Sequence, residues 1–130
     1  VHGITQQFLE DESIELTVRG RKRTPHFNYF VNDVVVKCEG VQTEVDAGYE
    51  GKDSLTLVEA KSSKIKNEII RQLYFPYRKW LMDINKPVRN LFFQFEEDSK
   101  TLSFWEYGFE DYLKYDSIYL IKSEKYQLIS

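Results

Sequence analysis

The apolar residues change their period twice along the chain, and no other feature constrains the fold as strongly. Before residue 61 they come in short alternating runs: "SIELTVR", "HFNYFV", "VVVKC", "VQTEVDAGY" and "SLTLVEAK". Side chains on a strand point alternately to its two faces, so each run reads as a strand with one face on a core. Asn32-Asp33 supplies a tight turn between the second and third runs, Gly40 punctuates, and "EGKD" turns the chain again. In "SSKIKNEIIRQLYFPYRKWLMDI" the spacing becomes three and four. Ile65, Ile69, Leu73, Tyr77, Trp80 and Leu81 then share one side of an amphipathic helix, with Ser62 or Ser63 as N-cap. Pro76 is expected to kink it, because it has no N–H for the carbonyl of Gln72 and its ring crowds that oxygen. Strand patterning returns in "VRNLFFQFEED", turns at Asp98–Lys100, and continues through "TLSFWEYGF" and "DSIYLIKSEKYQLIS". Strands, one long helix and further strands make an α+β domain, the helix packed on one face of an antiparallel or mixed sheet.

A chain of 130 residues is expected to form a single domain over 1–130 with a substantial core. Its 15% aromatic content suits half-buried strands and argues against disorder. No apolar run approaches the roughly 18 residues of a membrane span, and "VHGITQQFLEDES" has no signal-peptide pattern. Val1 stands where an initiator Met would, so the expectation is a fragment of a longer chain, with the remainder of the parent missing. Cys38 is the only cysteine, which excludes an internal disulfide framework. It reads as a small buried hydrophobe in a reducing, cytoplasmic setting.

The net charge of -3 hides an uneven distribution. "RGRKR" (19–23) is almost wholly basic, and 61–79 carries Lys61, Lys64, Lys66, Arg71, Arg78 and Lys79 against Glu68. The acids gather in "EDE" (10–12) and "EED" (96–98). Separate basic patches on an acidic chain can draw a polyanion to one face, although each patch alone is equally readable as solvated surface.

The chemistry is concentrated in "TEVDAGYEGKDSLTLVEAKSSK" (43–64). Residues two apart on a strand face the same way, so Glu59 and Lys61 share a face, as do Glu44 and Asp46 on the strand before. Such a cluster of acids is costly unless a cation compensates, and magnesium takes carboxylate oxygens while keeping several waters. An acid-x-Lys triplet alone says little: Glu50-x-Lys52 and Asp98-x-Lys100 also occur, both in turn-like runs. Glu59-x-Lys61 differs in ending an apolar strand, following an acidic strand and leading into a basic helix. The set suggests phosphodiester hydrolysis. Asp46, Glu59 and the Ala60 carbonyl would hold Mg²⁺ (Mn²⁺ as a substitute), and Lys61 would orient the attacking water or stabilise developing charge.

"EVDAGYEGKDSLTLVEAKSSK" resembles the core motif of the PD-(D/E)xK nuclease superfamily, to which many restriction endonucleases belong. The resemblance covers roughly residues 41–95 and implies a restriction-endonuclease-like mixed sheet. One long helix would follow the catalytic strand, with a C-terminal strand extension. It implies Mg²⁺-dependent cleavage of double-stranded DNA by the catalytic domain of a type II restriction enzyme, with Asp46, Glu59 and Lys61 in the family's places. Gln72 resembles the glutamine some branches use beside the lysine. Many members act as homodimers, and a prokaryotic cytosol or nucleoid would be the setting. The family commonly opens with a helix bearing a further acid. Glu10, Glu12 and Glu15 qualify only if "ITQQFLEDE" is helical, and that helix is expected instead in the missing upstream sequence.

Arg21, Lys22, Arg23, Lys64 and Lys66 are candidates for contacts to DNA phosphates. His2 and His26 lack zinc-ligand spacing to each other or to Cys38, no Ser or Cys nucleophile has an evident base, and no Gly-rich phosphate loop is present. Two rival readings stay open: a structure-selective nuclease of the Holliday-junction-resolvase kind, and a non-catalytic nucleic-acid-binding or assembly module with the same fold.

Overall fold

The computed structural model describes residues 2–60 and 66–128, and within them the side chains of all but residues 2–3, 17–22, 44–46 and 66–69. The elements run α1 (His2–Leu9), β1 (Glu15–Arg23), β2 (His26–Val31), β3 (Val34–Glu39), β4 (Gln42–Glu50), β5 (Leu55–Ala60), α2 (Lys66–Asp83), β6 (Val88–Glu96), β7 (Thr101–Phe109) and β8 (Ile118–Gln127). The α+β class and the mixed sheet agree with the sequence reading.

Six strands form one sheet in the order β1-β4-β5-β6-β7-β8, while β2 and β3 pair apart from it. β5 and β6 are parallel, as a helical crossover requires, and every other neighbouring pair is antiparallel. β5 lies inside the sheet with helices on both sides. Leu55 through Glu59 are accordingly all buried, a continuous pattern rather than an alternating one.

The opening helix was not expected. Ile4, Phe8 and Leu9 give it an apolar side that packs with Ile14, Tyr49, Val58, Leu91, Leu102 and Phe104 on one face of the sheet. It stops because Glu10 enters the left-handed region (φ 55), and the N–H groups of Glu10 and Asp11 return to the carbonyls of Gln7 and Gln6. Cations hold its last carbonyls: Arg89 Nη1 donates to Leu9 O at 3.2 Å, and Lys122 Nζ to Phe8 O. Arg89 is in turn paired bidentately with the buried Glu106, at 2.7 and 2.8 Å.

α2 covers the other face and continues through Pro76 to Asp83. Its Ile70, Tyr74, Phe75 and Tyr77 pack with Cys38, Phe27, Tyr29, Phe109 and Tyr115, so the β2–β3 hairpin lies against the helix rather than extending the sheet. The expected turn at Asn32-Asp33 joins the two strands, with Asn32 at φ 53. Cys38 is buried beside the Thr24 hydroxyl at 3.3 Å, consistent with a packing role.

Candidate functional site

The faces of β4 and β5 follow from what their residues touch. Leu55 and Leu57 pack under Trp80 of α2 and Ile84 just beyond it, whereas Val58 belongs to the α1-side core. Alternation therefore puts Glu59 on the α2 side, where it is only 6% exposed. On β4, Ala47 and Tyr49 pack on the α1 side. Ala47 is the last β4 residue paired with β5, opposite Val58. Position 46 and Glu59 are the next residues of the two strands beyond that last pair. The backbones of β4 and β5 thus bring positions 46 and 59 to the same end of the sheet. The carboxylate of Asp46 is outside the described side chains.

Gln72 belongs to the same end of the sheet. α2 runs back along β5, with Trp80 and Ile84 over Leu55 and Leu57. Eight helical residues from Trp80 to Gln72 span about 12 Å, and the four strand residues from Leu55 to Glu59 span about 13 Å. Gln72 therefore sits near the C-terminal end of β5. Its Oε1 is buried without a hydrogen-bond partner, an acceptor that costs stability as it stands. Ala60 ends β5, paired with Phe93.

The basic run 19–23 occupies the C-terminal half of β1. Gly20, Arg21, Lys22 and Arg23 pair with Val45, Glu44, Thr43 and Gln42, so their backbone reaches the same end of the sheet, two strands from Glu59. Arg23 is exposed and donates to Gly40 O at 2.5 Å, closing the loop between hairpin and sheet. Lys61 and Lys64 lie outside the described residues, and Lys66 opens α2 with its side chain undescribed.

The condition on which Glu10, Glu12 and Glu15 are candidates fails, and the reading of the basic face of α2 needs correction. No acid lies on α1, whose sequence is HGITQQFL. Glu10 and Glu12 follow its end, and Glu15 pairs with Glu50, remote from position 46. On α2, Lys79 pairs with Asp83 and lies over the Trp80 ring. Arg78 is buried, its guanidinium 4.3 Å from the Phe27 ring centre and 5.3 Å from that of Tyr112. Arg78 Nη1 donates to the Tyr74 hydroxyl at 2.8 Å, to Tyr112 O at 3.2 Å and to Asn28 O at 3.3 Å. Burial pushes the Tyr74 hydroxyl up to about 12 against the opposing pull of Arg78. Arg78 thus fixes the hairpin and the 110–117 segment to α2.

Sequence reasoning also passed over Asn90, a buried residue of β6 paired with Leu57. Its amide donates weakly to Tyr107 O at 3.4 Å, and its Oδ1 has no partner. A carboxamide directly before the apolar triplet of "VRNLFFQF" was the available signal. Among the described residues, no group of three or more His, Cys, Asp or Glu side chains is placed to hold a metal.

Residues 1–127 match a family described as "Domain of unknown function (DUF6997)". The chain belongs to the DUF6997 family. No curated protein and no solved structure matches this DUF6997 chain. No helix among its described residues is long and apolar enough to cross a membrane.

Proposed function

We propose that this DUF6997 domain is a Mg²⁺-dependent endonuclease that hydrolyses phosphodiester bonds in double-stranded DNA, in the manner of a type II restriction enzyme catalytic domain. The observation that carries the reading is the register of β4 and β5. Their antiparallel pairing runs to Ala47 and Val58, the residues beside Asp46 and the buried Glu59, at the strand end that leads into Lys61. The order strand, strand, helix, strand over β4, β5, α2 and β6 supports the restriction-endonuclease-like fold, and α1 supplies an opening helix, though one without an acid.

The candidate donors are oxygens: the carboxylates of Asp46 and Glu59, the Ala60 carbonyl and, near them, the unpartnered Gln72 Oε1. Such a set suits a hard cation better than a thiophilic one. Bound there, Mg²⁺ or Mn²⁺ would acidify a coordinated water and neutralise charge on the phosphate. Glu59 and Asp46 hold and orient from adjacent strands, and rigid strands position such groups more accurately than loops. Lys61 donates toward the developing negative charge or the attacking water. Arg21, Lys22 and Arg23 follow β1 toward the same sheet end and, with Lys64 and Lys66, would bind the phosphate backbone without reading sequence. The free Cys38 fits a reducing cytoplasm.

The test is cleavage of supercoiled plasmid and linear duplex with Mg²⁺, with EDTA, and by Asp46→Ala and Lys61→Ala. Cutting that needs the metal and falls about 100-fold or more in each folded variant supports the proposal. Cutting unchanged in both variants moves the site elsewhere. Preference for branched junctions over linear duplex selects the structure-selective nuclease, and metal-indifferent DNA binding without cutting selects the binding module.

A further inference from the structure

The two edges of the six-stranded sheet differ in chemistry. β1 carries Arg19, Arg21, Lys22 and Arg23 against Glu15, and its pairing with β4 is interrupted by two register shifts. Two copies of β1 would bring these cations together. β8 is the opposite case. Among the described residues it pairs with β7 alone, its single register shift falls between Leu120 and Lys122, and its run from Ile118 to Ile121 carries no charge. Tyr119, Leu120 and Ile121 are 45%, 50% and 47% exposed, three consecutive large apolar side chains on a strand whose outer hydrogen-bonding edge is open.

We propose that β8 joins two copies of this chain edge to edge, antiparallel, about a two-fold axis at Leu120. That register sets Tyr119 of each copy against Ile121 of the other on one face, and Leu120 against its own mate on the other. The patch is therefore complementary to itself, as an isologous interface must be. Tyr119 and Ile121 are already held in place. Both lie over Gly108 of β7, where a Cβ would come within 3.1 Å of the Tyr119 ring and 3.0 Å of Ile121 Cδ1.

A lysine on an edge strand ordinarily deters such pairing. Lys122 is instead turned back onto its own domain, donating to Phe8 O and lying 4.3 Å from the Phe8 ring centre. The axis is perpendicular to the sheet, so α2 of both copies lies on the same face of a continuous twelve-stranded sheet. The two β5 strands would then be seven strand spacings apart, about 34 Å. The proposal rests on the edge and not on the nuclease reading.

Sedimentation velocity and light scattering on the 130-residue chain over a concentration series test it. The wild type is expected at twice its 15.5 kDa mass. Leu120→Lys and Tyr119→Lys should weaken dimerisation about 100-fold or more, because each dimer would bury two unpaired ammonium groups. Circular dichroism and melting should stay near wild type, since both residues are half exposed. Val34→Lys, at the 64% exposed hairpin position, should leave the dimer intact. A wild type that is monomeric throughout overturns the proposal, as does a dimer that survives both β8 variants or is lost in Val34→Lys.

Discussion

The two faces of the sheet bury charge by different means. On the α1 face, Glu106 meets Arg89 in a bidentate pair, and Arg89 and Lys122 complete the C-terminus of α1. On the α2 face, Arg78 lies among aromatic rings and donates to two carbonyls and a hydroxyl, with no carboxylate among its described partners. The same face holds Glu59, Asn90 and the unpartnered Gln72 and Trp80 atoms. On the first face the charged groups satisfy one another and serve the fold, and the Thr56 hydroxyl is the buried polar atom left without a partner among the described residues. On the second face more are left unsatisfied, and of these Gln72 Oε1 lies at the candidate end of β5, as expected of a group kept for a ligand rather than for stability.

The comparison breaks most visibly at Glu106. Glu106→Ala should cost about 3–5 kcal/mol, measured by urea unfolding, because it leaves the Arg89 guanidinium without its carboxylate. It should leave DNA cleavage by the surviving folded fraction intact. A loss under about 1 kcal/mol would mean the α1 face is not held by that pair.

A smaller effect is expected on the α2 face. Tyr74→Phe removes the bond to Tyr112 O (2.7 Å) and one acceptor of Arg78, at a cost of about 1–2 kcal/mol. Its pH dependence sharpens the distinction. Tyr74 keeps its proton to about 12 in the folded chain against 10.0 ordinarily. Its contribution is therefore full below pH 10 and is lost as pH rises through about 12. The stability gap between wild type and Tyr74→Phe should close across that window, read by denaturant midpoints at each pH. A gap that stays constant would remove Tyr74 from the account.

Local pattern made the strands and α2 legible, and non-local pairing hid much of the rest. "TLSFWEYGF" alternates and forms β7, and the three- and four-residue spacing from Ile69 to Leu81 falls within α2. Alternation in "HFNYFV" and "VVVKC" identifies a hairpin but cannot say which layer it joins, and here it packs on α2. α1 escaped notice because it is eight residues long and ends on Glu10 rather than the usual glycine. In the candidate site, Glu59 was legible as an acid ending an apolar strand. Arg78 was read as part of a basic surface because composition cannot distinguish a solvated cation from one enclosed by aromatic rings brought from 27 and 112.

The most direct measurement is calorimetric titration of Mn²⁺ and Mg²⁺ into the wild type and into Asp46→Asn and Glu59→Gln, each verified as folded. If β4 and β5 present their carboxylates to a shared cation, the wild type takes up a single equivalent and each neutralised variant loses it. Binding of equal strength in all three proteins, or none in the wild type, would contradict the account.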